Sequence, residues 1–116
     1  MNSVEGYLKE KINFINKDRQ SLDAVGAWID GYEGKIVTLK GSGGSYHVIF
    51  TKQEVSFREG IYPSCEVYYE AIDEVILNIL QGRRSAYSEV KNNRCKVRGS
   101  LNEASIFEKI FMTKSS

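Results

Sequence analysis

The chain lacks most of the features that assign a chemistry at sight. Its 116 residues include one proline, one histidine, one tryptophan and two cysteines. Cys65 and Cys95 are too few for a disulfide framework or a zinc site, so free thiols are expected. No apolar run approaches the roughly 20 residues that a membrane span needs. The stretch from Met1 to Lys11 carries Glu5, Lys9, Glu10 and Lys11, with no apolar segment behind it to serve as a signal peptide. The ending Lys114-Ser115-Ser116 is not a peroxisomal Ser-Lys-Leu address. A cytoplasmic protein is the expectation. Excess charge is missing as well. Sixteen basic residues against fifteen acidic ones leave a formal charge of +1, with no global drive toward nucleic acid or an acidic membrane.

What remains is an ordinary globular composition, 41% apolar and 27% charged. The length fits one domain, 1–116, by the usual range of roughly 100–200 residues. A chain of this size buries about two thirds of its unfolded surface, enough for one core without staples.

Periodicity divides the chain. Val4, Tyr7, Leu8, Ile12 and Ile15 share one helical face, with Ser3 as a candidate N-cap. Leu22, Val25 and Ile29 predict a second helix after Ser21, weakened by Gly26 and closed by Gly31 and Gly34. The period then becomes two. Strands are expected at Lys35 to Lys40, Ser45 to Lys52, Glu54 to Arg58 and Cys65 to Glu70. Gly41-Ser42-Gly43-Gly44 joins the first two, and tight turns make neighbouring strands antiparallel. A helix follows at Ala71 to Gln81, with a stripe of Ile72, Val75, Ile76, Ile79 and Leu80, stopped by Gly82. A short helix at 84–91, a strand at Arg94 to Arg98 and a last helix complete the order. Ser100 and Glu103 form a capping box ahead of Leu101, Ala104, Phe107, Ile110 and Phe111. Such an order predicts an α+β layer fold in which helices cover the apolar face of a five-stranded sheet.

The C-terminal half carries a resemblance. It contains Asp73-Glu74, the aliphatic stripe, Gly82-Arg83, a short helix, Lys96-Val97-Arg98-Gly99, and a final helix ending Lys109-Ile110-Phe111. This resembles the sterol carrier protein type two family, also called nonspecific lipid-transfer domains. Nearly the whole chain fits, including the Pro63 loop before the fourth strand. One departure is Asn93, where the family usually has glycine; asparagine tolerates the left-handed conformation that such a turn uses. The resemblance implies a twisted, mainly antiparallel five-stranded sheet with helices on one face. It also implies an apolar tunnel between the two layers that takes up a fatty acid, acyl-CoA, sterol, isoprenoid or other lipid. Movement of the last helix would open that tunnel.

The residues expected to meet the lipid are Phe50, Phe57, Val67, Tyr69, Ile76, Leu80, Leu101, Phe107 and Phe111. Periodicity alone is equally consistent with a filled core; only the resemblance favours a cavity. A dozen buried methylenes would contribute on the order of 10 kcal/mol before association costs. Charge is segregated along the chain. Residues 54–74 hold six carboxylates against Arg58, whereas residues 83–98 hold Arg83, Arg84, Lys91, Arg94, Lys96 and Arg98 against Glu89. Cross-strand pairing accounts for the strand cations. Arg83 and Arg84 are candidates for an anionic headgroup.

No catalytic arrangement is visible. His47 stands alone between Tyr46 and Val48, without partners for a triad or a metal. The glycine turn leads into a strand rather than a helix, so it is not a phosphate loop. The expected role is a non-enzymatic carrier with no cofactor and no metal. Its partners would be a lipid or other apolar small molecule and, transiently, an anionic membrane surface, but no nucleic acid; a homodimer stays open. The other reading is an accessory module with a filled core, acting on a partner protein of lipid metabolism.

Overall fold

A computed structural model describes residues 3–112; the side chain of Ser3, the expected cap of the first helix, lies outside what is described. In chain order the elements are α1 (Ser3–Lys17), α2 (Arg19–Ile29), β1 (Lys35–Lys40), β2 (Ser45–Phe50), β3 (Val55–Glu59), β4 (Val67–Ala71), α3 (Asp73–Leu80), α4 (Ala86–Lys91), β5 (Cys95–Gly99) and α5 (Leu101–Met112). Every element expected from periodicity is present.

The five strands form one sheet in the order β3-β2-β1-β4-β5. Three pairings are antiparallel, and β4 lies parallel to β1. Turn chemistry governs consecutive strands only. β4 reaches β1 through the long 60–66 connection, so no tight turn constrains its direction. That connection runs over the face opposite the helices. There His47 Nδ1 donates to Gly60 O at 2.9 Å, and the His47 and Tyr62 rings lie 5.5 Å apart. The lone histidine holds a loop.

Local chemistry explains most boundaries. Asp18 caps α2 by accepting from Ser21 N at 3.0 Å, and it lets α2 follow α1 directly. The 41–44 segment is a hairpin turn closed by Gly41 N to Gly44 O at 2.9 Å. It is tied to α3 by Ser42 Oγ, which accepts from Asp73 N at 3.1 Å. Asn93 takes φ 59, the left-handed conformation expected of it. Cys65 lies ahead of β4 rather than within it and is half-buried, whereas Cys95 is buried opposite Ala71. Both are free thiols.

The core lies between the sheet and the helices. Val4, Leu8, Ile12 and Ile15 of α1 join Val25, Trp28 and Ile29 of α2 over Val37, Leu39, Val48 and Phe50. At its centre, Phe50 of β2 meets Phe107 and Phe111 of α5 at 5.9 and 6.1 Å between centroids. Tyr69 of β4 lies 5.7 Å from Phe107. These edge-on and tilted contacts are the favoured aromatic geometries.

Burial separates the two thiols. It pushes the Cys95 thiol up to about 11. Native titration with a thiol reagent at pH 8 is therefore expected to modify Cys65 well before Cys95, with both reacting once the protein is unfolded. Equal native rates would contradict this placement.

Candidate functional site: an apolar cleft beside the last helix

The expected lipid-contacting residues fall into three groups. Phe50, Val67, Tyr69, Ile76, Leu80, Phe107 and Phe111 are buried together in the core. Phe57 is half-buried on edge strand β3, its ring 6.0 Å from Tyr46. Four strand spacings, about 19 Å, separate it from β5 at the other edge. Leu101, expected to turn inward, is 83% exposed. It stands at the first position of α5. The inward stripe of α5 starts one turn later, at Ala104.

Leu101 borders a largely apolar recess on the described surface. This is a cleft of about 330 Å³ between α4, β5 and α5. Ala86, Val97 and Ala104 line its interior side, and Tyr87, Val90 and Leu101 its outer side. Ser105 and Glu108 add polar atoms along α5. Tyr87 is 77% and Val90 41% exposed. Three of the chain's exposed large apolar side chains thus surround one opening. Periodicity could not have found it, because Tyr87 and Val90 look like the inward stripe of a short helix. The inward positions of α4 are Ala86 and Glu89 instead.

Burying Glu89 needs compensation, and Arg94 provides it. Arg94 Nε lies 3.1 Å from the Glu89 carboxylate, and Arg94 N donates to Glu89 O at 2.8 Å. A buried carboxylate paired in this way fixes the orientation of α4 on β5. The carboxylates of α5 are engaged too. Glu103 accepts from Trp28 Nε1 at 2.9 Å and from Lys35 Nζ, which also sits over the Trp28 and Tyr32 rings. Burial alone would raise the Glu103 carboxyl; the bonds from Lys35 and Trp28 outweigh it and hold the group below its ordinary range. The capping box is therefore half-formed: Ser100 Oγ accepts from Glu103 N at 3.4 Å, but the Glu103 side chain turns to α2 and β1. Glu108 accepts from the Tyr69 hydroxyl at 2.6 Å. Burial first, and Glu108 second, push the Tyr69 hydroxyl far above its usual range.

A larger recess of about 510 Å³ lies across β5 and includes Lys40, Glu70, Arg94 and Lys96. Its lining holds three cations to one carboxylate, and Arg94 is taken up by Glu89. Glu70 stands between Lys40 and Lys96 in register. The Tyr68 hydroxyl donates to it at 2.8 Å; that bond, with Lys40, Lys96 and Arg98 nearby, holds its carboxyl below the usual range. The Glu70–Lys96 register is the cross-strand arrangement expected of the strand cations, whereas Arg98 faces Tyr68 and Arg94 pairs with Glu89.

Arg83 and Arg84 are exposed after α3, with both backbone N–H groups donating to Asn78 O. Arg83 borders a recess shared with Asp73 and Glu74, whereas Arg84 adjoins Ser85 at the cleft. Among the described residues, no group of three or more histidine, cysteine, aspartate or glutamate side chains could hold a metal ion. None of the described helices is long and apolar enough to cross a membrane.

No protein-family profile matches the chain, and no curated protein sequence does. Solved structures do. A UbiJ-SCP2 ubiquinone synthesis protein superposes with a TM-score of 0.71 at 14% identity, over 93% of this chain and 87% of its own. Sterol carrier protein 2 from Yarrowia lipolytica gives 0.61 at 14% identity, over 93% and 86%. The sterol carrier protein domain 2 of Helicoverpa armigera gives 0.63 at 13% identity, over 91% and 83%. The mixed sheet order, the helices on one face and these superpositions together establish that the chain has the sterol carrier protein 2 fold.

Proposed function

We propose that the protein is a non-enzymatic carrier that binds the apolar tail of a lipid, such as a fatty acid, acyl-CoA, sterol or isoprenoid, starting at the cleft between α4, β5 and α5. The observation that carries this reading is the convergence of Tyr87, Val90 and Leu101 on one apolar recess. Ligand sites of roughly 300–1,000 Å³ are typical of small-molecule binders, and the cleft stands at the lower end. The aromatic centre of the core is closed, so Phe50, Val67, Tyr69, Ile76, Leu80, Phe107 and Phe111 meet the tail only when α5 swings outward; Phe57 is the most remote of the expected wall. Gly99, with φ 108, precedes that helix. Arg84, next to Ser85 of the cleft, and Arg83 before it would meet an anionic headgroup. In this reading the protein works in the cytoplasm.

The test is titration of delipidated protein with a fluorescent fatty acid. Ser105→Trp should fill the cleft from an exposed position and weaken binding at least about tenfold, with the melting temperature unchanged. Wild-type affinity in that variant, or no probe binding by the wild type, would overturn the reading. The interlocked rings at 5.0–6.1 Å support a second reading, an accessory module that acts on a protein partner with its core filled. A clean apo mass in native mass spectrometry, together with no probe binding, would favour it.

A further inference from the structure

We propose that α4 and the first turn of α5 form a docking surface for an anionic bilayer, with Tyr87, Val90 and Leu101 inserting among the lipids. The purpose of this surface rests on the lipid-binding reading above, but its physical basis is separate.

Helix α4 is inverted. It buries Glu89 at 2% exposure and turns Tyr87 and Val90 to solvent. Leu101 extends the same apolar patch from the neighbouring helix, across the shared cleft. An arrangement that hides a carboxylate and exposes a tyrosine, a valine and a leucine together is the reverse of a solvated helix face.

Charge identifies the occupant. The nearby carboxylates all point inward to partners: Glu89 to Arg94, Glu103 to Lys35 and Trp28, and Glu108 to Tyr69. The cations that bracket α4 remain at the surface: Arg84 precedes its cap, and Lys91 ends it beside Val90. The sequence as a whole is nearly neutral, yet this patch presents exposed cations around apolar side chains. That combination fits anionic headgroups above an acyl layer. A second copy fits poorly. A two-fold dimer centred on this patch would bring the Arg84 and Lys91 cations of one copy up to the same cations of the other.

Co-sedimentation of the delipidated full chain with vesicles tests the surface. Vesicles of phosphatidylcholine alone are compared with an equimolar mixture of phosphatidylcholine and phosphatidylglycerol, at low ionic strength. The wild type should bind the mixture and not phosphatidylcholine alone. Arg84→Gln with Lys91→Gln should weaken binding about 30-fold, at roughly fivefold per cation near the surface. Tyr87→Ser with Leu101→Ser should weaken it at least about tenfold while the melting temperature holds, since both side chains are exposed. Absence of wild-type binding to the anionic vesicles would overturn the proposal. So would undiminished binding by the Tyr87→Ser, Leu101→Ser variant, or a solution dimer that this variant dissociates. The cargo reading is scored separately, by fatty-acid titration in vesicle-free buffer. Ser105→Trp should lose the fatty acid and keep the vesicles. Fatty-acid binding without vesicle binding sinks docking alone.

Discussion

Phe107→Ala is expected to lower the unfolding free energy by about 3–5 kcal/mol. The ring is fully buried. It lies within 5.0 Å of Phe111, 5.7 Å of Tyr69 and 5.9 Å of Phe50, measured between centroids. Removing it deletes the α5 ring that touches aromatic residues from both β2 and β4. The void would be walled by aromatic rings on strands and helix, which relax little. Small domains are stable by only about 5–15 kcal/mol, so this one change consumes a large share. Leu101→Ala is the matched control. It removes an apolar side chain from the same helix, but one that is 83% exposed, and should cost less than about 0.5 kcal/mol. Urea unfolding of both variants measures the contrast. A loss below about 1 kcal/mol for Phe107→Ala would mean that the aromatic layer is not the centre of the core.

Gly99→Ala should destabilise the protein by at least about 3 kcal/mol. Gly99 has φ 108, a conformation that side chains rarely adopt. A Cβ there would collide with the carbonyl oxygen of Glu66 and come within 3.2 Å of Val67 Cα. Both are backbone atoms, Val67 at the start of the paired strand and Glu66 just ahead of it, and neither can rotate away as a side chain would. Gly60→Ala separates the two contributions. Gly60 has φ 103, but a methyl group at that position would meet no atom within 4 Å, so it should show only the conformational cost of about 1–3 kcal/mol. Thermal unfolding of the pair should therefore place Gly99→Ala well below Gly60→Ala. Equal melting temperatures would remove the steric part of the argument. Gly99 also sets the direction in which α5 leaves the sheet, so the same variant should disturb any ligand site that α5 lines.

Much of the fold was legible in the residues. Alternation in 46–50 and 67–69 marked strands, and the stripes in α1, α3 and α5 marked amphipathic helices, because pattern periods of two and 3.6 report local geometry directly. Asp18 was missed as a cap. Its signal was present in the spacing Asp18–Ser21, but the helix was expected to start later. The parallel β1–β4 pair was not legible, because no local turn determines the direction of a strand that returns across 60–66. Leu101 was misplaced for a related reason. Its spacing matches the inward stripe, but periodicity carries no information on which turns of a helix its tertiary neighbours cover.

The sequence by itself determined which segments are helix and strand, which faces are apolar, and where Gly82, Asn93 and Gly99 break the chain. These follow from short-range sterics and hydrophobic period, which act within a few residues. Only the tertiary structure decided that Glu89 is buried and Tyr87 is not, that α5's carboxylates are turned inward to Lys35, Trp28 and Tyr69, and that the aromatic rings close on one another. Those outcomes depend on partners as far as 75 residues away in the chain. Packing selects among faces that local rules leave equivalent, because the free energy of burying a group is set by what meets it.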